Sequence, residues 1–333
     1  MLPVMRSPRS SGQQPSWYVL SRPGRARGAS RESGEYLLLS HRRIAMQNAS
    51  NGIERIDNPT PEEFYREFVS KGRPVILTGI ASTWPACGRW TPRFFADRFG
   101  DTPVQVEVQR SQDPMLHWGE KEVLQTTLAR YVELLSSESP KYYLNFASVM
   151  AQLPELHRDV GSLDAYQVHH RPYPERVRRK LRLSPIFWFG PAGAFTSLHR
   201  DPSDNLLVQV LGRKRLTLFA PEDTPNLYAP WHENCSSGRC LGGYSPVNVA
   251  QPDLERFPRL SRARGVDVLL GPGEILFIPI HWWHYVSSVD VSISVSYWWF
   301  RRLSQWHWST AAWVPLRSTL ECQVRQWWRA RAA

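Results

Sequence analysis

From Ile186 to Trp299 the chain runs through short apolar stretches cut by turn residues, and this pattern limits the fold more than any other feature. The stretches are Ile186–Phe189, Ala194–Leu198, Asn205–Leu211, Lys214–Phe219, Val268–Leu270, Ile275–Ile278 and Ser292–Trp299. Gly212-Arg213 separates two of them, and Gly271-Pro272-Gly273 precedes another. Runs this short suit strands, and glycine and proline turns let antiparallel neighbours follow one another directly, so a sandwich or barrel is expected. There is no βαβ rhythm and no internal repeat. The expected fold is mainly β, with helices at its flanks.

The helices come earlier. Thr60-Pro61-Glu62-Glu63 is a capping box with proline at the first helical position, and the helix it opens carries Phe64 and Phe68 on one face. Thr91-Pro92 opens a second helix that stops at Gly100, and a third covers about 127–136, with Leu128, Val132 and Leu135 on one stripe. Between them Arg73–Leu77, the alternating Val104, Val106 and Val108, and Tyr142–Phe146 read as strands.

Charge separates the ends from the middle. The chain of 333 residues carries a net charge of +11, with +6 in residues 1–46, +5 in 301–333 and an even balance between them. The basic excess therefore belongs to the termini, which argues against a nucleic-acid-binding core. Residues 1–50 are rich in Arg, Ser, Gly and Pro without periodicity and read as a disordered tail, with nuclear or organellar targeting as its alternative role. No stretch reaches the ~18 apolar residues of a membrane span. Four cysteines are too few for a disulfide framework in a chain of this length, so a reducing, cytoplasmic setting is expected. Arg171–Arg182 gathers six basic residues around Glu175, a pattern that most often marks a solvated face.

The chemistry centres on His199-Arg200-Asp201. Two ligands at i and i+2 on a strand point to one face. A histidine from another strand would complete a two-histidine, one-carboxylate triad, which holds Fe(II) and leaves its remaining positions open. The tripeptide alone is weak evidence, because His157-Arg158-Asp159 repeats it. That copy lacks strand neighbours and reads as surface. The third ligand comes from His281 or His284, both just after Pro279. Three residues apart on an extended chain they face opposite ways, so one of them ligates.

Taken together, Phe187–Pro191, Leu198–Pro202, Asn205–Lys214, Gly271–Pro279 and Trp283-His284 resemble the cupin-like Jumonji-C (JmjC) oxygenases, which use Fe(II), 2-oxoglutarate and O2. Within that family they are most similar to the arginyl hydroxylases and the tRNA wybutosine hydroxylase. The resemblance covers roughly 53–300 and implies a double-stranded β-helix, a cupin or jelly-roll barrel. It selects His284 as third ligand, after the tryptophan. It assigns Lys214 and Thr196 to the distal carboxylate of 2-oxoglutarate, Tyr143 to the pocket wall and Asn205 to the neighbourhood of the metal. Alternation independently puts Lys214 on the face of Leu216 and Leu218, where a charge requires an anion.

The expected organisation is a tail over 1–50, an α/β segment over 51–182 that packs on the barrel, the JmjC core over 183–300, and a helical extension over 301–333. In the extension, Leu316, Leu320, Val324 and Trp327 trace a stripe for packing on the barrel, homodimerisation or a membrane surface. The loop Trp231–Cys240 borders the substrate entrance in this reading. The expected function is hydroxylation of a protein or peptide side chain, arginine among the candidates. An RNA-base hydroxylase, an N-methyl demethylase and a non-catalytic cupin module are the alternatives.

Overall fold

The computed structural model describes residues 52–111, 122–147, 149–167, 185–201, 203–228 and 243–299. Of the two compact units of the chain, Met1–Ser40 falls wholly outside them, and every described residue belongs to His41–Ala333. The basic run Arg171–Arg182, the loop Trp231–Cys240 and the stripe Leu316–Trp327 also lie outside the described residues.

Fourteen strands are described. Five precede the apolar series: β1 (Arg55–Asp57), β2 (Val75–Thr78), β3 (Pro103–Gln109), β4 (Val123–Thr127) and β5 (Lys141–Ala147). Next come β6 (Ile186–Gly190), β7 (Phe195–Arg200), β8 (Asp204–Leu211), β9 (Lys214–Phe219) and β10 (Gly243–Tyr244). The last are β11 (Gly265–Leu270), β12 (Ile275–Ile278), β13 (Trp283–Ser288) and β14 (Ser292–Trp299). They form a nine-stranded sheet in the order β1-β2-β12-β8-β14-β6-β5-β3-β4 and a five-stranded sheet in the order β10-β7-β13-β9-β11.

From β6 the chain crosses between the sheets at almost every turn. β6, β8, β12 and β14 enter the large sheet, and β7, β9, β11 and β13 the small one. This alternation makes the double-stranded β-helix that the sequence resemblance implies. The segment before β6 adds β1 and β2 to one flank of the large sheet and β3 to β5 to the other. Gly212 makes the turn possible by which β8 in the large sheet leads into β9 in the small one. Its φ is +66°, and a Cβ there would lie 2.1 Å from the Val291 carbonyl oxygen.

Three apolar clusters follow from strand alternation. Leu206, Val208, Ile275, Phe277 and Val295 on the outer face of the large sheet pack on the helices through Phe64, Phe95 and Trp90. Leu207, Leu216, Leu218, Leu276, Ile278 and Val286 fill the space between the sheets. Phe195, Leu198, Phe219, Leu260, Trp283 and Tyr285 cover the outer face of the small sheet. The helix caps match the sequence. Thr60 and Glu63 close a capping box before Pro61–Phe64, and the Thr91 side chain caps Pro92–Phe99. No described helix is long and apolar enough to cross a membrane.

Two readings need correction. The second His-x-Asp copy is not wholly at the surface. His157 is exposed, but Asp159 is buried, accepting from Trp90 Nε1 at 2.9 Å and Arg89 Nη1 at 2.7 Å. It anchors Pro85–Arg89 against the segment after the 3-10 turn Pro154–Arg158. Trp283–Ser288 is a full strand that its sequence does not announce, because apolar and aromatic residues there mask any alternation.

Candidate metal centre

Register brings the triad together. Across β7 and β13, His199 faces His284 and Arg200 faces Trp283. Their ring centroids place the two imidazoles 4.0 Å apart, and Asp201 follows β7 directly, with Oδ2 3.7 Å from His284 Nε2. One ligand atom from each of His199, Asp201 and His284 lies within 4.8 Å of the others. Arg200, between the two sequence neighbours, turns outward onto Trp283, its guanidinium carbon 5.1 Å from the indole centroid.

The imidazoles are oriented from behind. His199 Nδ1 is 2.8 Å from the Ser197 carbonyl, and His284 Nδ1 is 3.0 Å from that of Trp282. A carbonyl only accepts, so each Nδ1 carries a proton and each Nε2 is the nitrogen turned to the cluster. Burial, reinforced by His199, pulls the pKa of His284 down to about 4, so the ring is neutral at physiological pH. Burial pushes the Asp201 carboxyl up, against the pull of His284. Two imidazole nitrogens converging with the Asp201 carboxylate form a donor set suited to a divalent metal ion.

His281 is held differently. Its backbone sits at φ 67°, and its N–H donates to the Asp201 carbonyl at 3.0 Å. It shapes the turn behind the carboxylate and is not one of the three clustered residues. Tyr244 stacks on His199 at 5.5 Å, from β10. Sequence spacing carries no signal for it.

The same inner face continues away from the metal ligands. On β9, Leu218 faces His284, Leu216 faces Val286 and Lys214 faces Ser288, so Lys214 shares a face with His284. Lys214 is 2% exposed, its Nζ donates to Tyr143 Oη at 3.3 Å, and it lies over the rings of Tyr143 and Trp188 at 5.6 and 6.0 Å. No carboxylate pairs with it among the described residues. Burial lowers its pKa to about 7. Tyr143 also hydrogen-bonds the side chain of Thr196.

Thr196 reaches that face through a bulge. Between the pairs His199–His284 and Thr196–Val286, β7 advances three residues while β13 advances two. Strict alternation would turn Thr196 away from His199, and the extra residue turns it back. Asn205, 6% exposed, lies on the face of β8 that also carries Leu207, and its Oδ1 has no hydrogen-bond partner among the described residues. A row of buried serines, Ser292, Ser294 and Ser296, alternates with Ile293 and Val295 on β14. One end of this inner face is thus an imidazole–carboxylate cluster. The other is a buried ammonium flanked by hydroxyls, a fit for a small dicarboxylate.

A family model described as a cupin-like domain matches residues 61–305. HSPB1-associated protein 1 of Homo sapiens is 47% identical over 261 residues, covering 72% of this chain and 50% of that protein. Lysine-specific demethylase 8 of Danio rerio is 34% identical over 255 residues, covering 76% and 59%. The tRNA wybutosine-synthesizing protein 5 of Gallus gallus is 27% identical over 267 residues, covering 74% and 76%. The chain therefore spans only 50% and 59% of the length of the first two relatives.

Proposed function

This chain belongs to the cupin-like domain family of JmjC oxygenases, and from that premise we propose that it is an Fe(II)- and 2-oxoglutarate-dependent hydroxylase of a protein side chain, with arginine among the candidates. The observation that carries the reading is the pairing, on one inner face, of the His199–Asp201–His284 cluster with a buried lysine that no carboxylate among the described residues neutralises.

Each residue has a task in this reading. His199 and His284 offer Nε2 because their Nδ1 protons are committed to carbonyls, and Asp201 supplies the negative charge. Lys214 holds the distal carboxylate of 2-oxoglutarate as a compact point charge, with Thr196 and Tyr143 donating beside it. Asn205 supplies an amide from β8 to the same space between the sheets. When bound, Fe(II) with 2-oxoglutarate and O2 supplies the oxidation of a substrate C–H bond. Leu207, Leu216, Leu276 and Val286 keep water out of the space between the sheets.

A protein substrate is favoured over RNA because acidic and basic residues balance between 47 and 300, so this part of the chain has no excess charge for a phosphate backbone. The test is incubation with Fe(II), 2-oxoglutarate and O2 in the presence of a peptide library and total tRNA, read by mass spectrometry. One added oxygen on a peptide side chain is the expected result, absent with Asp201→Ala. Oxygen on a tRNA base would move the reading to RNA, and loss of an N-methyl group would move it to demethylation. Failure to consume 2-oxoglutarate in any mixture would leave a binding module.

A further inference from the structure

Among the described residues, the bulge that turns Thr196 inward has a strand neighbour along only part of one side. β7 is flanked on one side by β13, but on the other β10 reaches only Arg200 and His199, so no described strand lies beside Phe195. The backbone of Phe195 is nonetheless bonded on that side, to a side chain. Gln109 Nε2 donates to the Phe195 carbonyl at 2.8 Å, and the Phe195 N–H donates to Gln109 Oε1 at 3.2 Å. A carboxamide carries the same donor and acceptor as a peptide group, and here it serves as a strand neighbour one residue long. Gln109 ends β3, is 5% exposed, and donates also to Glu107 Oε1 at 3.2 Å, which fixes which way round the amide lies.

The neighbouring backbone shows why this matters. Ala194 and Gly193 bond inward to Ser288, so the polar groups of Phe195 point outward and β13 does not hold them. An unbraced bulge at a sheet edge can slip by one residue, and a one-residue slip sends a side chain to the opposite face. Thr196 is the side chain at stake.

We propose that Gln109 is a positioning residue for the cosubstrate: by gripping Phe195 it locks the bulge that aims the Thr196 hydroxyl beside Tyr143 and Lys214. This rests on the 2-oxoglutarate reading above. It does not touch the metal ligands, so it separates cosubstrate affinity from metal affinity.

The experiment uses the full chain with Mn(II) in place of Fe(II), without turnover, and calorimetric titration of 2-oxoglutarate. Gln109→Leu keeps the bulk and removes both hydrogen bonds. Gln109→Glu keeps the shape and the acceptor and loses the donor, and serves should the leucine variant melt early. Either variant is expected to weaken 2-oxoglutarate binding at least about fivefold and leave Mn(II) affinity within about twofold. Thr196→Val weakens it too, and the double variant Gln109→Leu/Thr196→Val is no weaker than Thr196→Val alone, because Gln109 acts through Thr196. Unchanged 2-oxoglutarate affinity in both Gln109 variants, or penalties that multiply in the double variant, would overturn the proposal. A wild-type chain that binds Mn(II) but no 2-oxoglutarate would overturn the cosubstrate reading instead, and this one with it.

Discussion

Lys214 begins β9 with its ammonium inside the barrel, where a charge is costly unless an anion meets it. Lys214→Ala is expected to weaken 2-oxoglutarate binding by about 30-fold or more, the range for losing a charge-assisted contact in a buried site. Metal binding should be nearly unchanged. Arg213 is the control, because its guanidinium points outward to Asp290 at 2.7 Å. Equal losses from Arg213→Ala and Lys214→Ala in a titration would remove Lys214 as anchor. The pH dependence comes from the same burial. The lysine has a pKa of about 7, below its ordinary 10.5, and a bound carboxylate raises it. Affinity is therefore full below about pH 7 and falls as pH rises from there toward the pKa of the complex. In that window each cosubstrate bound takes up a proton. Tyr143, the titratable group facing Lys214, stays neutral because burial raises its pKa further above the usual range. Calorimetry near pH 8 in two buffers of different ionisation enthalpy checks this, and equal apparent heats would contradict it.

At the scale of elements, alternation explains most of what faces inward, and bulges and turns decide the rest. β9 obeys the period of two, so the inward direction of Lys214 is legible from Leu216 and Leu218. β7 breaks it at the bulge, so the direction of Thr196 is not. β13 escapes a reading by pattern because its apolar and aromatic residues mask the alternation, and the turn before it, with His281 at a left-handed φ of 67°, is one that no spacing rule announces. Asp159 shows the converse, a residue expected at the surface that ties two elements together. Asp159→Ala leaves the Trp90 indole N–H without a partner, and about 1–3 kcal/mol of stability should be lost. Urea melts of the variant measure this, while metal and 2-oxoglutarate affinity should stay as in the wild type. A variant as stable as the parent would show that Asp159 is only a surface carboxylate.

Over the whole molecule, the large sheet crosses any boundary drawn near residue 183. β2 pairs with β12 through Val75–Phe277, and β5 pairs with β6 through Leu144–Phe189. Phe64 and Trp90 from the first half pack on Phe277 and Phe187 from the second, at ring separations of 5.1 and 5.8 Å. A fragment of 183–300 would expose the outer face of the large sheet, with Leu206, Val208, Phe277 and Val295 uncovered. It should therefore aggregate or stay unfolded, and the described region should unfold in one transition. Circular dichroism of the fragment and a denaturant melt of the full chain test this. A soluble fragment with native strand content would show that the barrel is a separate domain.

The sequence by itself determined what local physics controls: turn residues set the strand breaks, caps set the helix starts, and the period of two set which face of β9 is buried. It also displayed the His-x-Asp pair and, through motifs in order, the family. Tertiary structure decided what depends on partners distant along the chain. His199 meets His284 only through the register of β7 against β13, Tyr244 stacks on His199 from β10, and Gln109 grips Phe195 from 86 positions away. Such contacts are set by how strands pair, and pairing is fixed by the burial of whole faces at once, which no short window of sequence contains.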